Sequence, residues 1–320
     1  MTEETQKSCC LPASQSQFNS TLPVTTVPLT IVSNTNAEDN KGMIHLSGGP
    51  YLMGSEGPEI WKADGEGPVR EVEVAPFWID ECAVTNARFA AFIEATGYVT
   101  EAETFGWSYV FHRHVNAANK ANSRGFSGEA NWWIGVDGAM WRRPEGPGSD
   151  IKKRMDHPVV HVSWNDAQAF CQWAGKQLPT EAQWEYAARG GLVQQLYPWG
   201  NELTPKGKNG KPEHRCNIWQ GKFPTLDTGQ DGWTNTAPVK TFQPNGFGLY
   251  QMSGNTWEWC ADAFATNKER TTTNLSRRVV KGGSFLCHIS YCNRYRCAAR
   301  TGNTPDSTTG HTGFRCVRAE

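Results

Sequence analysis

Two cysteines five positions apart, Cys287 and Cys292, stand in the run Gly282-Gly283-Ser284-Phe285-Leu286-Cys287-His288-Ile289-Ser290-Tyr291-Cys292-Asn293-Arg294-Tyr295-Arg296. Two sulfur donors without a neighbouring carboxylate make a soft site, suited to monovalent copper or zinc rather than to magnesium or calcium. The same spacing also serves a structural disulfide, or two thiols buried as small apolar groups. A zinc site would need two further Cys or His ligands, and Cys297 is the obvious neighbour. The Gly282-Gly283 pair ahead of the thiols permits a close backbone approach.

Other groups offer harder chemistry. Asn217 and Asp231 flank a glycine-containing loop, and Gly254-Asn255-Thr256-Trp257-Glu258 gathers oxygen donors. Calcium accepts such mixtures of carboxylates, amides and backbone carbonyls, although neither cluster follows the regular twelve-residue calcium loop. The alternative for both is ordinary turn hydrogen bonding. His157 and His161 would share a face of a strand, but no third ligand accompanies them.

The elements that must hold these groups are short. The 320 residues include 14 Trp, 32 Gly and 18 Pro, which points to aromatic anchors joined by many turns, with little long helix or broad sheet. A net charge of −1 gives no reason to expect nucleic acid or an anionic membrane as a partner. No run is long and apolar enough to span a bilayer, and the N-terminus lacks the pattern of a secretory signal. The expected compartment is therefore the cytoplasm. Ten cysteines are many for reducing surroundings, yet most stand alone, unlike the framework of a small secreted module.

Residues 1–40 are rich in Ser, Thr, Asn and Gln and lack periodicity, which predicts a flexible tail; residues 41–320 form the expected single domain. Strands are predicted at Met43 to Leu46, at Tyr51 to Gly54, at Val69 to Val74, where polar and apolar residues alternate, and at Phe77 to Asp80. Thr85 caps a helix that ends at Gly97, Ser163 caps a second through Trp173 and Ala174, and Thr180 with Gln183 forms a capping box for a third that stops at Gly190. Residues 98–158 read as a long irregular aromatic excursion, and His157 to Val162 as a strand.

Taken together, Phe77-Trp78-Ile79-Asp80, His157-Pro158-Val159-Val160-His161-Val162-Ser163-Trp164, Leu178-Pro179-Thr180-Glu181, Tyr197-Pro198-Trp199-Gly200, Asn217-Ile218-Trp219-Gln220-Gly221, Trp257-Glu258-Trp259 and Gly313-Phe314-Arg315-Cys316 resemble the formylglycine-generating enzyme (sulfatase-modifying factor) family. The resemblance runs from about residue 42 to 318, and the Cys287/Cys292 pair is its most specific part. It implies a mixed α/β, C-type-lectin-like fold with extensive ordered loops. The implied activity is aerobic oxidation of the cysteine in a C-x-P-x-R segment of an unfolded sulfatase to Cα-formylglycine. Cys287 and Cys292 would hold Cu(I), with the substrate cysteine as a further sulfur ligand. By position, Ser284 would help form the oxygen or substrate pocket, Trp257 and Tyr291 would wall it, and His288 and Arg296 would flank it. Two structural calcium ions are implied, one at Asn217, Asp231 and the carbonyls of Ile218 and Trp233. The other would use Glu258 with the carbonyls of Gly254 and Thr256. Gln251 falls where better known members have Asn.

Electron balance agrees with that activity. Converting a thiol-bearing methylene to an aldehyde with loss of sulfide releases two electrons, whereas reducing oxygen to water takes four, so an external thiol must supply the rest. Of two disulfides that exported members carry, Cys171 and Cys316 match one, and Cys297 matches half of the other, its partner position being Ala188. Cys10-Leu11-Pro12-Ala13-Ser14 opens like the substrate consensus but lacks its arginine, which suggests a tail that visits the copper cleft as a pseudosubstrate. Two rivals remain: a non-catalytic peptide-binding or scaffold member with Cys287 and Cys292 as a disulfide, and an iron-dependent sulfoxide synthase, which would need a histidine triad.

Overall fold

A computed structural model describes residues 40–127, 130–266 and 277–320; the tail with Cys9 and Cys10, and its proposed pseudosubstrate role, lie outside them. β1 (Met43–Leu46) is followed by β2 (Gly49–Met53), β3 (Arg70–Val74) and β4 (Phe77–Asp80). β2 pairs antiparallel with β3, and the loop between them, residues 54–69, carries Trp61, Asp64 and Glu66. α1 (Asn86–Thr96) begins at Thr85, whose hydroxyl accepts the Arg88 N–H, and ends at Gly97 with φ of 67°, a left-handed stop that glycine adopts without strain. Phe89, Phe92 and Ile93 are buried along its inner face.

The stretch read as irregular is a small sheet. After α2 (Glu101–Phe105) come β5 (Trp107–Phe111), α3 (Ala117–Ala121), β6 (Phe126–Ser127) and β7 (Ala130–Asp137), and the three strands pair in the order β5-β7-β6. Every residue of β5 is buried, so the alternation that advertises a strand is missing and the run reads as an aromatic loop. The reverse error falls on His157 to Val162: this segment makes one bridge, Pro158 to Thr85, and His161 has φ of 58°, which no strand allows.

α4 (Trp164–Trp173) and α5 (Glu181–Arg189) both start on capping boxes, Ser163 with Asp166 and Thr180 with Gln183. β8 (Gly221–Lys222) and β9 (Leu226–Asp227) form a short hairpin; β10 (Trp257–Ala263), β11 (Arg278–Lys281), β12 (Arg300–Asn303) and β13 (Thr312–Gly313) form a sheet ordered β12-β11-β10-β13. β14 (Val317–Ala319) returns to pair with β4, Val317 opposite Ile79. The final strand thereby closes the sheet opened by the first, giving the expected mixed α/β fold of short elements.

Two apolar clusters meet at the thiol turn. One joins Phe89, Phe92, Phe170 and Phe314 to Trp257, Trp259, Tyr295, Cys287 and Cys292. The other holds Trp107, Phe111, Trp133 and Trp219 against Phe285 and Leu286. Phe285 and Leu286 thus root the turn in one core while the sulfurs border the other. Among the described residues no helix is long and apolar enough to cross a membrane.

Candidate active site

β11 delivers the chain to the site. Its last residue, Lys281, is fully buried and its ammonium lies 3.0 Å from a Glu185 carboxylate oxygen. Gly282 and Gly283 follow with φ of 90° and 71°. A Cβ on Gly282 would lie 3.0 Å from the Trp184 ring, and one on Gly283 would lie 3.0 Å from the Tyr295 backbone. Only glycine satisfies the backbone and the space together.

Two consecutive tight turns then bring the sulfurs together. The Cys287 N–H donates to the Ser284 carbonyl, and the Cys292 N–H to that of His288. The Sγ atoms end 3.3 Å apart, beyond the about 2.05 Å of a disulfide, so the pair stands as two facing thiols. Their residues are 1% and 0% exposed, covered by surrounding side chains. Neighbouring loops fix the turn from outside: the Phe285 N–H donates to the Asn255 carbonyl and the Trp219 N–H to the Cys287 carbonyl.

Ser284 belongs to the sulfur's own surroundings. Its N–H lies 3.3 Å and its Oγ 4.0 Å from Cys287 Sγ. The indole of Trp257 is fully buried in the same cluster, and its N–H has no hydrogen-bond partner. Tyr291 is half-buried, donates its hydroxyl to the Leu286 carbonyl at 2.7 Å, and stacks on Phe223 with centroids 3.9 Å apart. His288 is half-buried on the same turn; its Nδ1 accepts the Ser290 N–H, and burial lowers its pKa. Arg296 is held inside the fold. It is 2% exposed, its two Nη atoms grip Glu66 at 2.6 and 2.7 Å, and its Nε donates to the Asn293 carbonyl. A guanidinium so committed has both Nη atoms engaged within the fold, where they brace the turn.

The oxygen clusters lie on loops that touch each other. The Asn255 N–H donates to the Asn217 carbonyl, and a Cβ on Gly254 would fall 2.3 Å from that same oxygen. Asn217 is 1% exposed; its amide nitrogen donates to the Asn235 carbonyl and Asn255 Oδ1, while its own Oδ1 has no donor. Gln251 repeats the pattern: its Nε2 donates to the Pro238 carbonyl, and its buried Oε1 has no donor. Buried acceptors without donors are costly, and a calcium ion at each would satisfy it. Asp231 accepts the N–H groups of Ile218 and Trp233, and burial raises its pKa. Glu258 already faces Arg315 and Trp184, with three contacts of 2.7–2.8 Å, which makes it the least available donor of the set.

The histidine pair comes apart. His157 bonds to Thr236, whereas His161 is buried between Ser108 Oγ and the Pro144 carbonyl. Among the described residues no three or more His, Cys, Asp or Glu side chains converge as a metal site. Cys171 and Cys316 lie with sulfurs 3.5 Å apart, and Cys297 Sγ is 3.8 Å from the Ala188 carbonyl, so position 188 does adjoin Cys297 but brings no sulfur.

A model of the sulfatase-modifying factor enzyme 1-like domain matches residues 29–320. The chain belongs to this family. A formylglycine-generating enzyme of Thermomonospora curvata is 59% identical over 288 residues, covering 87% of this chain and 93% of the relative. A protein of Bos taurus named inactive C-alpha-formylglycine-generating enzyme 2 is 47% identical over 280 residues, covering 86% and 87%. The solved structure of PvdO from Pseudomonas aeruginosa superposes with a TM-score of 0.59 at 24% identity, covering 88% of this chain and 97% of that one; it supports the fold alone. The geometry around the thiols adds a set of groups absent from the sequence reading: Asp64 and Glu66, paired with Arg294 and Arg296. No local pattern in the sequence marks them, since each pair joins residues 230 positions apart.

Proposed function

We propose that this chain is a formylglycine-generating oxidase that uses Cu(I) and O2 to oxidise the cysteine in a C-x-P-x-R segment of an unfolded sulfatase. The observation that carries this reading is the pair of facing thiols, 3.3 Å apart. Cu(I), held by Cys287 and Cys292, would supply a soft centre at which a substrate sulfur and oxygen meet.

The chain's own residues do the rest. Asn255 and Trp219 hold the turn so that both sulfurs point to one place, and Ser284 offers an N–H and a hydroxyl beside Cys287. Because both sulfurs are covered, a substrate cysteine gains access only when a covering side chain gives way. Exclusion of water until then limits idle oxygen reduction. In the balanced reaction, one substrate cysteine, one molecule of oxygen and a pair of reductant thiols give one aldehyde, one hydrogen sulfide, one water and one disulfide. The thiol reductant provides the second electron pair. The carbon–sulfur bond of the substrate breaks, and one oxygen atom enters the aldehyde or exchanges with water.

The orphaned Asn217 Oδ1 and Gln251 Oε1 support two structural calcium ions. One, at Asn217, Ile218, Asp231 and Trp233, would tie together loops that lack a ladder; the other, at Gln251, Gly254, Thr256 and Glu258, would fix the approach to β10. A cytoplasmic setting, which provides the thiol reductant, fits Cys171 and Cys316 as thiols.

The test is incubation of a C-x-P-x-R peptide with the protein, Cu(I), O2 and thiol, read by mass spectrometry. An oxygen-dependent loss of the thiol and one hydrogen in exchange for a carbonyl oxygen, absent after copper chelation, is expected. Undiminished turnover after chelation would overturn the copper assignment. A second reading, a non-catalytic binding member, is favoured by the relative named inactive; peptide binding without any mass change would select it.

A further inference from the structure

Arg294 occupies a place that the reaction scheme does not use. Its Nη1 lies 3.9 Å from Cys292 Sγ, while its Nε donates to Asp64 Oδ2 at 2.6 Å. Its Cζ sits 4.3 Å over the Trp61 ring. Both Arg294 and Asp64 are 3% exposed. Trp61 is itself tied down, its indole N–H donating to Asn293 Oδ1 and its backbone N–H to Glu66 Oε1 at 2.9 Å. The loop 54–69 therefore orients the guanidinium beside the second sulfur of the pair.

We infer that Arg294 is a positioning residue for the thiol pair: clamped by Asp64 and Trp61, it holds Cys292 in place and offsets the negative charge that a dithiolate centre keeps around a monovalent metal. The inference rests on the copper reading above. Three observations favour it over simple bracing. Arginine stays charged when buried, so a cationic N–H group faces the sulfur whatever the pH, even with Asp64 as its counter-ion at Nε. Asp64 engages the Nε and Trp61 the face of the guanidinium, while Nη1 lies toward Cys292. Arg296, two residues on, instead commits both Nη atoms to Glu66, so the two arginines of the turn differ in what their forks address. A soft two-sulfur metal centre carries one surplus negative charge, and in a site closed to water a fixed cation is the group that can balance it.

The experiment measures Cu(I) affinity of the full chain, anaerobically, by competition with a chromophoric Cu(I) chelator. Three proteins are compared: the parent, Arg294→Lys, and the double variant Asp64→Asn/Arg294→Gln, which removes both charges together so that no buried ion is stranded. Thermal melting checks that each is folded. The expected order of affinity is parent, then Arg294→Lys, then the double variant, with a loss of about 10- to 100-fold at the last step, as for other groups that orient metal ligands. Equal affinity in all three folded proteins would overturn the role of Arg294 while leaving the copper reading intact. Failure of the parent to bind Cu(I) would overturn the copper reading and this inference with it. Should the double variant not fold, Arg294→Lys decides: it keeps the charge but not the fork, and parental affinity there counts against positioning by the guanidinium.

Discussion

Replacing one sulfur by oxygen at Cys287 changes size little but hardens the donor, so Cys287→Ser separates chemistry from packing. We expect that variant to melt close to the parent, to lose stoichiometric Cu(I) binding and to leave the C-x-P-x-R peptide unmodified; a variant that still yields formylglycine would remove the thiol pair from the mechanism. Behind the pair, Glu66 and Arg296 form a bidentate ion pair with side chains 0% and 2% exposed. Glu66→Gln leaves that guanidinium without its counter-charge, and stranding a buried ion costs roughly 3–5 kcal/mol. Urea unfolding should show a loss of that size, and a change within experimental scatter would mean that the pair is not closed to water in solution. The role expected for Arg296 was drawn from its position next to the cysteines; its partner, 230 residues earlier, was not visible there.

At the scale of elements, the caps were legible and the buried strands were not. Thr85, Ser163 and Thr180 each cap the helix expected of them, because a cap is a local hydrogen bond to the residue three positions on. β5 escaped notice because burial on both faces erases alternation. The joint between α2 and α4 carries a titration that can be tested. Asp166 accepts the Glu101 N–H and the Tyr98 hydroxyl. Burial, then the neighbouring Asp166 charge, raises the Glu101 pKa to about 7; burial raises that of Asp166 to about 6. A carboxyl whose folded pKa lies above its unfolded value contributes stability at low pH that is lost as pH climbs through the folded pKa. Between about pH 4 and pH 7 the joint should therefore weaken. Glu101→Gln, which cannot ionise, should gain stability over the parent at about pH 8 and not at about pH 4, as read by urea unfolding at the two pH values. A parent and variant that respond identically to pH would contradict it.

Across the whole molecule, the thiol turn depends on loops from three parts of the chain: residues 54–69, the Asn217 loop and the Gly254–Asn255 loop. The Asn217 amide and Gln251, just ahead of Gly254, hold the orphaned acceptors, so calcium should act on stability more than on chemistry. We expect millimolar calcium to raise the melting temperature of chelator-treated protein; saturation to about 100 times Kd corresponds to about 2.7 kcal/mol. Asn217→Ala should remove the part of that shift owed to its own ion while leaving Cu(I) binding in place. No calcium-dependent shift in the parent would discard the calcium assignments at both loops.

Family, fold class and enzymatic character were readable from residues in order, because the motifs that carry them are short and contiguous. Helix caps, the Gly-Gly approach and the spacing of Cys287 and Cys292 belong to that kind of information. Tertiary structure alone decided which charges neutralise which. Asp64 meets Arg294 and Glu66 meets Arg296 only after the β2–β3 loop and the segment ahead of β12 have come together, and no periodicity records a contact made across 230 residues. Burial then turns those contacts from surface ion pairs of little consequence into the electrostatic surroundings of two sulfurs.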